Sequence, residues 1–71
     1  MTVHVQAHIT GTIWKIEVKA GEQVSEGQTV AIIESMKMEM PVEAPSSGRV
    51  ESIAVAEGQA VEEGATILTL A

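Results

Sequence analysis

The sequence contains no cysteine, tyrosine or phenylalanine, and Trp14 is its only aromatic residue. A chain without cysteine has no disulfide, no thiolate nucleophile and no cysteine ligand for a metal, and this absence favours a cytoplasmic location. The core must therefore be built from Val, Ile, Leu, Ala and Met. With 71 residues and a hydrophobic share of 45%, the sequence predicts one folded domain that spans 1–71.

Positive charge is scarce as well. Four Lys and Arg residues stand against ten acidic residues, which leaves a formal net charge of −6. Such a surface would repel a phosphate backbone, so nucleic acid is not expected as a partner. No apolar run is long enough to span a bilayer and no cationic leader opens the chain, so we expect no membrane partner and a complete small protein.

The sequence consists of two copies of one unit. Gly11 and Gly48 lie 37 positions apart (48 minus 11), and many other residues recur at the same offset. The identical pairs include Met1/Met38, Val5/Val42, Ala7/Ala44, Ile16/Ile53, Val18/Val55, Gly21/Gly58, Val24/Val61, Glu26/Glu63, Gly27/Gly64 and Thr29/Thr66. Coincident glycines argue against chance similarity, because glycine marks specific backbone geometry. The units are 1–34 and 38–71, joined by 35–37.

The first strand of each unit has apolar residues at every second position, as expected of a strand with one buried face. These positions are Val3, Val5 and Ala7 in one copy and Met38, Met40, Val42 and Ala44 in the other. Pro41 lies within the second set. Because proline has no N–H to donate, we expect it at the edge of a sheet or at the end of a hairpin.

The second strand, 12–18 or 49–55, breaks this alternation. Its apolar positions step from 13 to 16 in one copy and from 50 to 53 in the other, and an odd step predicts a β-bulge or bend in both. Two glycine turns follow, with one inward valine between them, Val24 or Val61. The last strand is expected at 29–33 in one copy and at 66–70 in the other.

About eight short strands, with close turns and no helical periodicity, predict an all-β fold. The repeat implies two four-stranded antiparallel sheets with internal pseudo-twofold symmetry, which form a flattened β-barrel, or barrel-sandwich hybrid. We expect a strand of each unit to complete the sheet of the other, because that arrangement covers exposed edges. The glycines predicted to serve as structural turns are Gly21, Gly27, Gly48, Gly58 and Gly64.

The segment around the junction of the two units has the sequence Glu-Ser-Met-Lys-Met-Glu and spans 34–39. Strand patterns precede and follow it, so 35–38 is predicted to form the end of a β-hairpin with Lys37 at its tip. An amine in that position is accessible to another protein. Alternation along a strand would place Met36 and Met38 on one face, with Lys37 pointing away from them.

This segment resembles the attachment motif of the biotinyl/lipoyl carrier domains, and the resemblance covers essentially the whole chain. The Met36-Lys37-Met38 triplet is similar to the biotinyl branch, and the chain as a whole is similar to the free-standing biotin/lipoyl attachment proteins. In that family one glycine lies sixteen residues before the modified lysine and another eleven after it, as Gly21 and Gly48 do here. The family has a flattened barrel with the modified lysine on a hairpin at one end.

The resemblance implies a carrier that is not itself an enzyme. A biotin ligase would join biotin to Lys37, and the biotin would carry carboxyl groups between the biotin carboxylase and carboxyltransferase sites of a biotin-dependent carboxylase. Met36 and Met38 would form the apolar surface that the ligase recognises, and Glu34 and Glu39 are candidate ligase contacts. The alternatives are that Met38 begins the apolar stripe of the core, and that Glu34 and Glu39 are ordinary solvated carboxylates.

Two other functions stay open on the sequence. Lipoyl domains usually carry an acidic residue before the lysine and a small one after it, whereas this chain has methionine in both places, which favours biotin over lipoate. A lipoyl carrier of a dehydrogenase-type complex is nevertheless one alternative, with lipoate as the cofactor. An unmodified barrel-sandwich interaction module is the other.

Residues outside the motif carry weaker signals. The segment 8–10 stands where many biotinyl domains have Pro-Met-Pro, which leaves the enzyme served unidentified. His4 and His8 lie roughly 13 Å apart on one strand, too far to share an ion, so no metal site is expected. Trp14 corresponds to Glu51 of the other unit and is expected to be partly exposed, either covering the barrel edge or forming part of a docking surface.

Overall fold

The structure, a computed structural model, describes residues 2–71, so Met1 and its predicted equivalence with Met38 lie outside the described residues. The strands are β1 (Val3–Gln6), β2 (Gly11–Ile16), β3 (Gln23–Val24), β4 (Thr29–Ser35), β5 (Met38–Glu43), β6 (Gly48–Ile53), β7 (Ala60–Val61) and β8 (Thr66–Leu70). The prediction of eight short strands is confirmed, although β2 and β6 end earlier than expected. Between residues 2 and 71 there is no helix that could cross a membrane.

The strands form two four-stranded antiparallel sheets, with strand orders β1-β8-β6-β3 and β5-β4-β2-β7. Replacing each strand of the first sheet by its repeat counterpart produces the strand order of the second. Each sheet contains two strands from each unit, so each unit completes the sheet of the other. The predicted pseudo-twofold arrangement is confirmed, and the two sheets form a flattened sandwich whose strand pairings do not close into a barrel over residues 2–71.

Turn hydrogen bonds repeat at the same offset. The Gly21 amide donates to the carbonyl of Val50 at 2.7 Å, and the Gly58 amide donates to the carbonyl of Ile13 at 2.7 Å. Both glycines have positive φ, 90° and 89°, a conformation that a residue with a Cβ adopts only under strain. The other predicted turn glycines with positive φ are Gly27 and Gly64, at 85° and 91°. Each of these turns therefore depends on glycine at the predicted position.

Gly48 has a different role from the one predicted, because it begins β6 and does not lie in a turn. A Cβ at this position would lie 2.9 Å from the carbonyl oxygen of Ala71. Its counterpart Gly11 is crowded in the same way, with the carbonyl oxygen of Glu34 at 2.5 Å. At both positions the missing side chain lets another stretch of backbone approach closely, and this approach replaces the turn as the reason for glycine at Gly48.

The core between the sheets is aliphatic and is drawn from both units. Ile13, Ile33 and Ile67 are fully buried within it, and it contains no buried polar side chain among residues 2–71. Val24 and Val61 are buried as the inward residues of their two-residue strands, as predicted. A core of branched aliphatic side chains has few free rotamers and holds the hairpin between β4 and β5 in a fixed place.

Both second strands contain the predicted bulge. The pairing of β2 with β4 shifts register between Ile13 and Lys15, and the pairing of β6 with β8 shifts between Val50 and Ser52. A bulge places two residues opposite one on the partner strand and bends the strand that contains it. Because the bulges occupy equivalent positions, they bend the two sheets at corresponding places.

Candidate functional site

A two-residue turn joins β4 to β5. Ser35 pairs with Met38 in the antiparallel ladder, which leaves Met36 and Lys37 as the turn residues. Their φ angles are 52° and 66°, and positive φ at both central residues is what a type I′ turn requires. The twist of that turn matches the twist of the flanking strands. Lys37 therefore lies at the tip of the predicted hairpin and is exposed.

The residue types in this turn are unusual. Type I′ turns favour Asn-Gly, Asp-Gly and Gly-Gly, because a Cβ is crowded at positive φ. Elsewhere between residues 2 and 71, every residue with positive φ is a glycine. Holding Met36 and Lys37 in this conformation costs about 1–2 kcal/mol for each residue. Strain of this kind concentrates at functional sites, so the tip is the leading candidate for one.

Two methionines beside the tip are open to solvent. The exposed fraction is 92% for Met36 and 62% for Met38. Met38 therefore does not begin the apolar stripe of the core, and the first inward residue of β5 is the partly buried Met40. The strand alternation that was expected to put both methionines on one face does not apply, because Met36 lies in the turn.

Two glutamates lie opposite each other one pair behind the turn. Glu34 and Glu39 are register partners, and both are exposed. Like charges that are directly opposite destabilise a pair of strands. The corresponding residues of the other unit are Ala71 and Thr2, whose side chains are uncharged. The fold therefore does not require carboxylates at these two positions.

The amine of Lys37 has no partner within the described part of the chain. The ion pair that is present joins Lys15 to Glu17 at 3.9 Å and does not involve the tip. Residues 2–71 also form no pocket. The hairpin thus presents an amine that can enter the active site of another protein. Acylation of that amine would remove one positive charge and take the net charge from −6 to −7.

Other candidate residues lie away from the tip. His4 and His8 are exposed, and no three His, Cys, Asp or Glu side chains are close enough to hold a metal ion among residues 2–71. Pro41 lies in β5, which is an edge strand as predicted. Trp14 is 48% exposed, as predicted, and lies in the bulge of β2 beside Lys15, the register partner of Ile32. Sequence reasoning missed Ile32, although comparison of outward positions between the two units could have found it.

Known proteins match this chain over most of its length. A family model described as "Biotin-requiring enzyme" matches residues 1–70. The biotin/lipoyl attachment protein of Bacillus subtilis (strain 168) is 55% identical over 51 residues, which cover 72% of this chain and 67% of that protein. The biotin carboxyl carrier protein of acetyl-CoA carboxylase from Solanum lycopersicum is 50% identical over 46 residues, which cover 65% of this chain and 66% of that protein.

A solved structure shows the same fold within a much larger protein. The crystal structure of the urea carboxylase from Kluyveromyces lactis matches with a TM-score of 0.94 and 35% identity, covering 100% of this chain and 6% of that one. The matched region therefore amounts to about two thirds of the small relatives and to a minor segment of the large carboxylase.

Proposed function

Because the chain belongs to the biotin/lipoyl family of attachment domains, we propose that it is a biotin carrier and that a biotin ligase acylates Lys37. The assignment to Lys37 rests on the conformation of the turn between β4 and β5. Among residues 2–71, this lysine and Met36 occupy the two positions that have positive φ without glycine. Stability alone would favour Asn-Gly in this turn. Met36 and Lys37 are therefore retained for the function of their side chains.

The residues present fit covalent attachment of biotin. The Lys37 amine is exposed and unpaired, and exposed thioether side chains lie on both sides of it. In the acylation step the amine would attack an activated acyl group that the ligase supplies. The amide bond forms, the leaving group departs with its electron pair, and the amine loses a proton. The tight hairpin fixes the lysine in advance, which lowers the entropic cost of placing it in the ligase.

Once attached, biotin supplies a carrier for a carboxyl group. The chain's own contribution is placement, because a rigid sandwich holds the modified side chain out into solvent. We propose the biotin carboxylase and carboxyltransferase components of a biotin-dependent carboxylase as the partners between which it moves. This proposal is supported by the relatives, which include carriers and segments of carboxylases. The cytoplasmic location expected from the sequence stays a prediction.

The choice of biotin over lipoate is supported by the two methionines. Soft apolar side chains at Met36 and Met38 replace the acidic and small residues that usually flank a lipoyl lysine. Both methionines are exposed, so neither is explained by packing in the core. Exposed, flexible thioethers are suited to contact an incoming enzyme. We therefore propose that the ligase reads these two side chains together with Lys37.

Ligase assays on purified protein test the proposal. The wild-type chain and Lys37→Arg are incubated with a biotin ligase, ATP and biotin, and in parallel with a lipoyl ligase, ATP and lipoate. Intact mass spectrometry should show one biotinyl group on the wild type and none on Lys37→Arg. Modification by lipoate and not by biotin would identify the protein as a lipoyl carrier. No addition by either enzyme would favour the unmodified interaction module.

A further inference from the structure

Three apolar residues lie side by side across the outside of the sheet β5-β4-β2-β7. Ile32 of β4 is the register partner of Pro41 on one side and of Lys15 on the other. Trp14 precedes Lys15 in the bulge, where two residues of β2 oppose Ile32. Trp14 is 48% exposed, Pro41 is exposed and Ile32 is partly exposed. We call Trp14, Ile32 and Pro41 the outer row.

The outer row faces away from the core. The next pair of residues along the same strands, Ile13 and Ile33, is fully buried. Because side chains alternate along a strand, the pair that contains Ile32 must lie on the opposite, solvent side of the sheet. The apolar side chains of this row therefore lie on the surface of the protein, and neighbouring residues cover only part of their area.

The equivalent row of the other unit is polar. The repeat pairs are Trp14/Glu51, Ile32/Thr69 and Pro41/His4. Thr69 lies between its register partners His4 and Ser52, and its hydroxyl is hydrogen-bonded to Ser52 at 2.8 Å and to Glu51 at 3.4 Å. Both rows occupy the same place in one repeated fold. Polar residues therefore satisfy the fold there, and the apolar character of the outer row has another cause.

The outer row is continuous with the attachment hairpin. Pro41 is four residues from Lys37, or roughly 13 Å at about 3.3 Å per residue. The paired Glu34 and Glu39 lie between them on the same outer face. A protein interface of standard size covers about 800 Å² on each partner, equal to a disc of about 16 Å radius. An enzyme seated on this face and over Lys37 therefore reaches the outer row.

We propose that the outer row is a docking surface for the biotin ligase, an inference that rests on the proposed function. The ligase must bring the Lys37 amine itself to its acyl group, so its surface has to approach the domain closely. A ligase surface that fits this face is apolar where it meets the outer row and basic where it meets Glu34 and Glu39. Trp14 supplies the kind of large aromatic anchor that dominates the binding energy of protein interfaces.

Biotinylation kinetics test the inference. Two outer-row residues are changed to their own repeat counterparts, as Trp14→Glu and Ile32→Thr, since the fold already accepts those residues at the equivalent positions. The kcat/KM of biotinylation should fall about tenfold or more for Trp14→Glu and severalfold for Ile32→Thr, through KM. The matched controls on the other sheet, Glu51→Ala and His4→Ala, should stay within twofold of the wild type.

A binding measurement on the wild type gives a readout that does not depend on variant folding. Trp14 is the only tryptophan, so its indole N–H gives a single NMR signal from ¹⁵N-labelled protein. Titration with unlabelled biotin ligase, without ATP, should broaden or shift this signal together with the Lys37 amide. The amides of His4 and Thr69 should not respond.

The outcomes separate this inference from the proposed function. If the ligase perturbs the Lys37 amide but leaves the Trp14 indole unchanged, or if Trp14→Glu and Ile32→Thr keep the kcat/KM of the wild type, the docking surface is overturned while the carrier function stands. If the wild type is not modified at all, the proposed function fails and the inference fails with it. Thermal unfolding checks that each variant is folded.

Discussion

The side chains of Met36 and Lys37 extend from backbone that ordinarily belongs to glycine. The chain uses glycine at its other turns with positive φ, including Gly21 and Gly58, so it has not avoided glycine in general. At the tip, glycine would remove the amine and the thioether that the proposed ligase would contact. At the scale of single residues, stability is therefore given up where an accessible side chain is required.

The first prediction tests whether Met36 and Lys37 reduce the stability of the turn. Changing Met36→Asn and Lys37→Gly together should raise the free energy of unfolding by about 1–3 kcal/mol, because Asn-Gly suits a type I′ turn. At about 4–8 °C per kcal/mol for a domain of this size, the thermal midpoint should rise measurably. Calorimetry provides the measurement. Lys37→Ala is the control and should stay within about 0.5 kcal/mol of the wild type, and a lower midpoint in the double variant would contradict the strain argument.

The second prediction concerns Gly21. Nothing lies within 4 Å of a Cβ built there, so a side chain has room and only the φ of +90° opposes it. Gly21→Val should therefore destabilise the protein by about 1–2 kcal/mol through backbone strain. Gly21→Asn should lose less, since asparagine tolerates positive φ better than a β-branched residue does. Equal losses from the two variants, measured by urea unfolding, would point to a lost contact instead of strain.

At the scale of elements, the β4–β5 hairpin combines the strained turn with the opposed carboxylates of Glu34 and Glu39. Both features reduce stability, and both lie next to Lys37. The opposed glutamates have no counterpart in the other unit, where Thr2 and Ala71 occupy their places. The hairpin therefore departs from the rest of the repeat in the part that an incoming enzyme would meet.

The third prediction addresses the opposed glutamates. Glu39→Gln removes the like-charge repulsion across the hairpin and should raise the free energy of unfolding by roughly 0.2–1 kcal/mol. The same change should raise the KM of the biotin ligase, because one acidic contact is lost. Added salt should stabilise the wild type more than the variant, since salt screens exposed charges. A variant that is less stable than the wild type would show that the carboxylate supports the fold.

Much of the fold was predictable because the repeat marks equivalent strands without any other information. The turn type was not, because Met-Lys lacks the Asn or Gly that signals a type I′ turn. Pairing of Ser35 with Met38 imposes that turn on unfavourable residues. The role of Gly48 was missed for a similar reason, since the carbonyl of Ala71 that it approaches is distant in sequence. Local patterns do not contain such contacts.

At the scale of the whole molecule, neither unit can fold by itself as it does in the protein. Each sheet takes two strands from each unit, and the aliphatic core lies between the sheets. A domain of this size buries only about 60% of the surface of its unfolded chain, so it has little stability to spare. The hairpin that carries Lys37 is also the link between the two units.

The fourth prediction follows from this interleaving. Fragments 1–35 and 38–71, each at low micromolar concentration, should lack a cooperative thermal transition because each has lost the strands that complete its sheets. Mixing them in equal amounts should restore part of the β-sheet circular dichroism signal. A cooperative transition in either fragment alone would mean that one unit is an independent fold, contrary to the shared sheets.

The claim on which the account depends is that the hairpin tip exists to present one amine for acylation. Lys15, Lys19 and Lys37 are all exposed, so exposure alone does not select among them. The direct measurement is tandem mass spectrometry of the wild-type chain after treatment with biotin ligase, ATP and biotin. The account predicts biotin on Lys37 and on neither of the other two lysines. Biotin on Lys15 or Lys19, or on none of the three, would contradict it.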